Sequence, residues 1–434
     1  MIKNLYGAQK KIIKYFLLLI YLFSLLYLSG WFNLNKEIPI NLDELAWVQD
    51  SQVFEWRLNQ DWENFSWSEV EKSGWMSHDF RLFDQPHFVK YVYGYIFTIK
   101  NTQPWLTKKQ QEKNYLQFTQ QYLSGKIRVY ENNSKEIFGI NTIKAIFLAR
   151  KINTLVGIGF ITIITIFLAR QFSINQSLMV SFLIITNPIF QYNFNIATAD
   201  SISMFFILIT LLLFYSIFKK NKYKKVTLIL SSITSAIATS SKINGWILII
   251  ISISVIMMIE KDAKKMLKKL FSWLSLFIGF YIYLQPELWN YPISGFIRYF
   301  SQRIIQQMRF EIDSQSLNIF SYHYWLLKLY LGSKNEFLYL IKVGMLFFNS
   351  LLILRKIRLF LMLSFKKIKE KINNFLKNNY LVLLIFLLIW IIIFLYAKIG
   401  FERYAMWPLI VIFVISSRLI EKLFHQTLFF WKKP

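Results

Sequence analysis

The stretch YLVLLIFLLIWIIIFLYA, residues 380–397, decides the fold class, because it holds 18 consecutive residues without a charge. A helix of that length spans about 27 Å, close to the ~30 Å hydrocarbon core of a bilayer. Comparable apolar stretches lie at the N-terminus up to about residue 32 and near 150–169, 177–190, 200–218, 226–241, 243–259, 270–285, 336–354 and 404–420. The pattern predicts an all-α polytopic membrane protein with about ten transmembrane helices.

The composition agrees with this prediction and excludes several other classes of protein. Of the 434 residues, 55% are hydrophobic and only 17% are charged, which is unlike an ordinary soluble domain or a disordered chain. There is no cysteine, so a disulfide scaffold, thiolate catalysis and a cysteine-ligated metal are excluded as well.

The net charge of +27 comes largely from clusters of basic residues, and the positions of these clusters indicate how the chain is oriented in the membrane. Basic clusters such as 219–225 and 261–269 fall on one side of a ten-span arrangement, and basic loops face the cytoplasm. Both termini are therefore expected in the cytoplasm, with the plasma membrane as the location. A charge explained in this way does not indicate a nucleic-acid partner.

The opposite side of the membrane receives two long segments, an exterior loop at 33–145 and an exterior segment at 286–335. We expect them to form a cap over a single membrane domain, residues 1–434. Amphipathic stretches at 87–99 and 114–123 predict helices that lie along the membrane interface.

Ionisable residues gather at the predicted outer ends of the spans. Such groups are costly near a membrane and by default mark a site. The middles of the spans are almost free of charge, which favours a cavity at the outer face over a conduit through the bilayer. The group consists of Asp43, Glu44, Asp84, His87, Lys90, Asp200, Lys242, Glu287, Glu402 and Arg403.

The acidic pair in NLDELAWVQDS carries the first chemical hypothesis. Adjacent carboxylates on a helix point in different directions, so Asp43 and Glu44 would have different tasks. One could accept a proton from a hydroxyl, while the other orients substrate or a metal. The alternative is two acids placed at the positive end of a helix dipole.

The basic candidates suggest a phosphate at headgroup depth, where an ammonium can meet it as a point charge. Lys90 lies in the predicted interfacial helix, Lys242 lies in SSKINGW beside a tight turn, and Arg403 opens the last span. The alternative for each base is snorkelling to the membrane surface. Asp200 opens the fourth predicted span and has the alternative of a simple N-terminal helix acid.

The order and spacing of these motifs resemble the polyprenyl-phosphate-sugar-dependent glycosyltransferases of the GT-C fold. That family includes the protein O-mannosyltransferases and the aminoarabinose transferases of lipid A. The similarity extends over residues 10–420, mostly as hydropathy. Its specific motifs are the acidic pair 43–44, the stretch from Asp84 to Lys90, Asp200, Lys-x-Asn-Gly at 242–245 and Arg-Tyr-x-x-x-Pro at 403–408.

This resemblance implies a GT-C-like fold and transfer of a sugar, with inversion, from a polyprenyl-phosphate donor to a hydroxyl of a protein, lipid or glycan. By position, the resemblance assigns Asp43 as general base with Glu44 beside it, Lys90 at the donor phosphate and Arg403 near the leaving group. We add Asp84 as a catalytic candidate, Lys242 as a candidate at the donor phosphate, and His87 and Asp200 as candidates for acceptor binding or orientation. The chain departs from the family where Gln85 replaces the histidine of His-Pro-Pro-Leu-x-Lys. His87 therefore does not inherit that histidine's role.

A metal and a different class of function remain open. The histidines show no ligand spacing such as HxxxH, but a divalent cation on Asp43, Glu44 or Asp84 would need none. No cofactor is required by the sequence. The alternative function is a transporter or flippase for a lipid-linked sugar, which would favour ionisable groups near the membrane midplane and two corresponding halves.

Overall fold

The structure, a computed structural model, describes residues 2–65, 86–105, 140–220, 225–260, 262–289, 292–297, 327–331, 342–343 and 406–431. Throughout these ranges the regular secondary structure is helical, and they contain no strand. The helices are α1 (Ile2–Leu28), α2 (Trp31–Glu37), α3 (Leu42–Asp50), α4 (Val53–Leu58), α5 (Phe88–Ile99), α6 (Ile140–Gln171), α7 (Ile174–Ile185), α8 (Pro188–Asn195), α9 (Asp200–Lys220), α10 (Lys225–Ser241), α11 (Ile247–Ile259), α12 (Ala263–Leu284) and α13 (Met406–Trp431).

Three of the described helices are long and apolar enough to cross a membrane: α6, the Asp200–Ile217 part of α9, and α12. Shorter apolar helices follow at Ile13–Leu28, α7, Ile247–Met257 and Met406–Arg418. The prediction of a helical, membrane-embedded chain agrees with this result, whereas the number of ten spans stays a prediction. The predicted span at 380–397 and nearly all of 336–354 lie outside the described residues.

One predicted span, 177–190, is divided in the structure. Helix α7 ends at Ile185 and α8 begins at Pro188, which has no N–H to continue a helix. Between them, Asn187 accepts a hydrogen bond from the Ile189 N–H at 3.0 Å, and its Nδ2 donates to the Leu329 carbonyl at 3.2 Å. The polar side chain and the proline together end one helix and start the next.

The chain divides into two compact units. The first contains residues 1–31, 161–191 and 314–434. Within it α7 packs against α1 and α13. The hydroxyls of Thr165 and Ser181 lie 2.6 Å apart, and the ring centroids of Phe190 and Phe413 lie 6.1 Å apart.

The second unit contains residues 32–160 and 192–313 and holds every described candidate site residue. In it α10 packs between α9 and α12, and α3 and α5 share a core with the first half of α6. Helix α4 packs against α5 in a separate small cluster. The amphipathic stretch at 87–99 forms α5, as predicted. The stretch at 114–123 lies outside the described residues.

Two glycines permit the close approaches that assemble this unit. A Cβ on Gly94 of α5 would lie 2.5 Å from the Ser51 carbonyl oxygen and would also collide with Phe54. The predicted tight turn after α10 is a 3₁₀ turn at Ile243–Trp246, where a Cβ on Gly245 would lie 2.5 Å from the Thr239 nitrogen. Glycine at these positions lets α5 pack on α4 and lets the chain fold back into α11.

Candidate functional site

Eight ionisable residues in the described part of the second unit meet in its interior as pairs that join segments far apart in sequence. Four such pairs occur in the described part of the unit, and all eight residues are buried. The pairs are Glu44–Arg150, Asp50–Lys90, Glu287–His87 and Asp200–Lys242. Five predicted site residues are thus buried and each contacts an ionisable partner: Glu44, His87, Lys90, Asp200 and Lys242.

The Glu44–Arg150 pair is held by an extensive set of hydrogen bonds. The carboxylate of Glu44 accepts from Arg150 Nε at 2.7 Å and Nη2 at 2.6 Å, from the Ala197 N–H at 2.7 Å and from the Asn41 N–H at 3.1 Å. Arg150 also donates to the carbonyls of Ile38 and Pro39. Charge-assisted, bidentate bonds of this kind compensate the desolvation of both groups, so this pair fixes the start of α3 on α6.

The neighbouring carboxylate, Asp43, is exposed and lies in the first turn of α3. Asn41 caps this turn, because its Oδ1 accepts from the Glu44 N–H at 2.9 Å while its Nδ2 donates to the Tyr192 hydroxyl at 3.0 Å. The adjacent acids therefore have different surroundings, since Asp43 is exposed and Glu44 is buried, which agrees with the prediction that they point in different directions. Of the two, Asp43 is the one that a substrate in solution or at the membrane surface can reach.

Lys90 points into the protein. Its side chain is fully buried, its Nζ lies 3.6 Å from Asp50 Oδ2, and the Trp47 ring centroid lies 5.7 Å from the ammonium. The structure thus buries this lysine beside Asp50 at the end of α3, and its position at the level of the lipid headgroups stays a prediction. Snorkelling is excluded by this burial.

Asp200 and Lys242 form a second lysine–carboxylate pair. Asp200 is the first residue of α9, as predicted, and the Lys242 Nζ donates to its Oδ1. Both side chains are buried, so Lys242 does not snorkel either. The pair ties the end of α10 to the start of α9.

The segment between α8 and α9 is held by a polar group that sequence reasoning did not find. Asn153 of α6 donates to the carbonyls of Ile196 at 2.5 Å and Thr198 at 2.8 Å, and accepts from the Tyr93 hydroxyl at 2.9 Å. Burial raises the pKa of Tyr93, so this hydroxyl stays a donor. Together with the bond from Ala197 to Glu44, these contacts fix the approach to Asp200.

His87 and Glu287 lie at the other end of α5. The His87 Nδ1 is 3.2 Å from Glu287 Oε2, and neither side chain is accessible. Burial and the Glu287 charge both raise the pKa of Tyr91 nearby. His87 therefore packs α5 against the 3₁₀ turn at Pro286–Leu288.

An aromatic group surrounds Arg57 beside this pair. Its guanidinium carbon lies 4.9 Å from the ring centroid of Tyr91, 4.7 Å from that of Tyr283 and 5.8 Å from that of Trp289. Its Nη2 also donates to the Tyr283 carbonyl at 3.2 Å. These contacts join α4 to α5 and to the residues that end and follow α12.

Two of the predicted site residues, Asp84 and Arg403, lie outside the described residues, as does Glu402. Within the described ranges, no group of three or more His, Asp or Glu side chains is arranged to hold a metal ion. Since four protein donors already bind Glu44, a divalent cation there would have to displace them. A cation on Asp43 or Asp84 stays a prediction.

The described residues form a helical membrane protein in which buried pairs of ionisable side chains join the elements of one unit, and Asp43 is the exposed carboxylate of its acidic pair. Comparison with protein-family models, with curated proteins and with solved structures finds no match to the chain.

Proposed function

We propose that the protein is an integral membrane glycosyltransferase that moves a sugar from a polyprenyl-phosphate donor to a hydroxyl acceptor with inversion. The observation that supports this proposal best is the placement of the two acids at the start of α3. Asp43 is exposed, whereas Glu44 is buried and bound by four donors. This arrangement presents one carboxylate on a turn that cannot shift easily.

In the proposed reaction Asp43 is the general base. It accepts the acceptor's hydroxyl proton while the hydroxyl oxygen attacks the anomeric carbon from the side opposite the phosphate. The bond between the anomeric carbon and the phosphate oxygen breaks, and its electron pair leaves with the phosphate. The products are the inverted glycoside and polyprenyl phosphate.

Fixed geometry is what makes a single carboxylate useful in such a step. A base must lie within hydrogen-bond distance of the hydroxyl, and small displacements are costly in rate. The Glu44–Arg150 pair and the Asn41 cap hold the first turn of α3 from both sides. Glu44 thus acts in the proposal by positioning Asp43.

Negative charge develops on the leaving phosphate, and fixed cations would lower the barrier. We propose that Lys90, Lys242 and Arg403 supply these cations and that Arg403 stabilises the phosphate charge most. Asp50 and Asp200 each neutralise most of the charge of the lysine beside them. Asp84 stays the proposed catalytic partner, while His87 and Asp200 serve orientation because they are buried.

The proposed active site faces the exterior of the plasma membrane, with both termini in the cytoplasm. A polyprenyl donor keeps its tail in the bilayer, so its phosphate remains at headgroup depth. The sugar would then meet an acceptor at the membrane surface. The acceptor is a protein, a lipid or a glycan.

The direct test uses the purified protein in detergent with a panel of polyprenyl-phosphate sugars and hydroxyl acceptors. We expect one donor to yield a glycoside and an equal amount of polyprenyl phosphate by mass spectrometry, with an inverted anomeric configuration by NMR. Retention of configuration would contradict the mechanism. A protein that moves the lipid-linked sugar across a proteoliposome without forming any glycoside would instead be the transporter or flippase.

A further inference from the structure

A groove of about 500 Å³ lies in the second unit where the end of α5 meets the start of α6. Three lysines line it: Lys100 after α5, and Lys144 and Lys151 of α6. Each is exposed, and none makes an ion pair or side-chain hydrogen bond with another described residue. Three uncompensated positive charges around one concavity suit an anionic group.

The remaining wall of the groove is apolar. Ile140, Ile143, Phe147 and Leu148 line it, and in a helix these positions share one face with Lys144 and Lys151. A purely ionic ligand such as free phosphate would leave this wall uncovered. The groove therefore fits a molecule with an anionic head and an apolar body.

The position of the charges along α6 sets the depth of the groove. Residues 152–169 of α6 carry no charge and span about 27 Å, nearly the thickness of the hydrocarbon core. Lys151 stands at the edge of this run, and Lys144 lies about 10 Å further along the axis. These lysines thus lie at the level of the lipid phosphates.

Thr102 supplies a hydrogen-bonding group inside the groove. Its Oγ1 is buried and has no hydrogen-bond partner among the described residues. A buried hydroxyl without a partner is unfavourable, and rotation of the Thr102 side chain toward the groove would let it donate to a phosphate oxygen.

We infer that this groove binds the phosphate head of an anionic phospholipid. The lysines and Thr102 contact the phosphate, and the wall of Ile143, Phe147 and Leu148 packs against the glycerol and the upper acyl chain. The inference needs only a membrane-embedded α6 and does not depend on the proposed transferase reaction.

The bound lipid would also stabilise the Glu44–Arg150 pair, which lies behind the groove. The ring centroid of Phe147 lies 5.4 Å from the guanidinium carbon of Arg150, which binds Glu44. A lipid packed on the outer side of Phe147 would hold this ring in place. Loading of the groove should therefore raise the melting temperature of the protein.

The test titrates delipidated, detergent-solubilised full-length protein with phosphatidylglycerol or with phosphatidylcholine of the same acyl chains. Binding is measured by native mass spectrometry and by the shift in melting temperature. We expect selective binding of phosphatidylglycerol. The combined variant Lys100→Gln, Lys144→Gln, Lys151→Gln should lose about 100-fold in affinity, from the usual contribution of a lysine to anionic-lipid binding.

The matched control replaces three exposed lysines elsewhere, Lys225→Gln, Lys264→Gln and Lys268→Gln, and should keep the wild-type affinity. Thr102→Val should weaken binding several-fold without a change of charge. Equal binding of both lipids, or an equal loss in the control, would overturn the inference. Tighter binding of polyprenyl phosphate than of phosphatidylglycerol would also overturn it, because the groove would then be a site for the carrier lipid.

Discussion

Arg150 is a fully buried arginine whose donors reach three groups within residues 38–44: the Glu44 carboxylate, the Ile38 carbonyl and the Pro39 carbonyl. Removal of this side chain would leave the Glu44 carboxylate buried without its countercharge. Such uncompensated burial is strongly unfavourable, whereas the net contribution of an intact buried pair is small. The stability of the α3 turn therefore depends on the presence of both partners.

We predict that Arg150→Ala lowers the free energy of unfolding by about 3–5 kcal/mol, as for other broken buried pairs. The measurement is denaturant unfolding in detergent without anionic phospholipid. Lys151→Ala, at the next and exposed position, should change stability by less than about 0.5 kcal/mol. Equal effects of the two variants would show that the buried pair does not hold α3.

For the pairs Glu44–Arg150 and Asp50–Lys90, the sequence identified one partner and missed the other. Glu44 and Lys90 stand out as charges beside apolar stretches. Asp50 and Arg150 do not, because the former follows Glu44 in a mixed helix and the latter resembles a charge that flanks a span. Pairing over 106 positions, as between Glu44 and Arg150, is a tertiary property that no local spacing encodes.

Among the elements, α5 shows most clearly what periodicity can and cannot predict. Its apolar spacing predicts a helix at 87–99, and the helix spans Phe88–Ile99. The side of that helix that meets protein depends on α3 and α4, so the burial of Lys90 could not be read from the pattern. The need for glycine at position 94 could not be predicted either, because it depends on the close approach of Ser51 and Phe54 in the folded protein.

We predict that Gly94→Ala lowers the free energy of unfolding by about 1–3 kcal/mol, the usual cost of adding a methyl group to a tightly packed site. The added Cβ would lie 2.5 Å from the Ser51 carbonyl oxygen, a backbone atom that cannot rotate away. The melting temperature in detergent measures the effect. Gly279→Ala in α12 is the control, since no atom lies within 4 Å of the added Cβ and stability should be unchanged or raised. Similar stability of both variants would contradict the packing of α5 on α4.

At the scale of the whole molecule, the described residues agree with a helical membrane protein. The sequence located α6, α9 and α12 because a charge-free run of spanning length is a local signal. The predicted span at 177–190 is divided by Pro188 and a hydrogen-bonded Asn187, and the number of spans stays a prediction. The single domain over residues 1–434 and the exterior cap stay predictions, and the chain resolves into two compact units.

The predicted topology can be tested directly because the chain has no cysteine. Single substitutions Asn59→Cys in the loop after α4 and Lys268→Cys near the start of α12 place one thiol at each predicted side, both at exposed positions. A membrane-impermeant maleimide should label Asn59→Cys in intact cells and Lys268→Cys only after permeabilisation. The reverse pattern would place residues 33–145 in the cytoplasm and would contradict the proposed exterior site.

Asp43 is the proposed general base of the sugar transfer. The most direct test of this role is the initial transfer rate of the Asp43→Asn variant. With the donor and acceptor of the wild-type protein, we predict a loss of at least about 100-fold, the usual contribution of a general base. The melting temperature should stay unchanged because the side chain is exposed, and Asp61→Asn, at another exposed aspartate, should keep the full rate. A wild-type transfer rate in Asp43→Asn would contradict the role of Asp43 as general base.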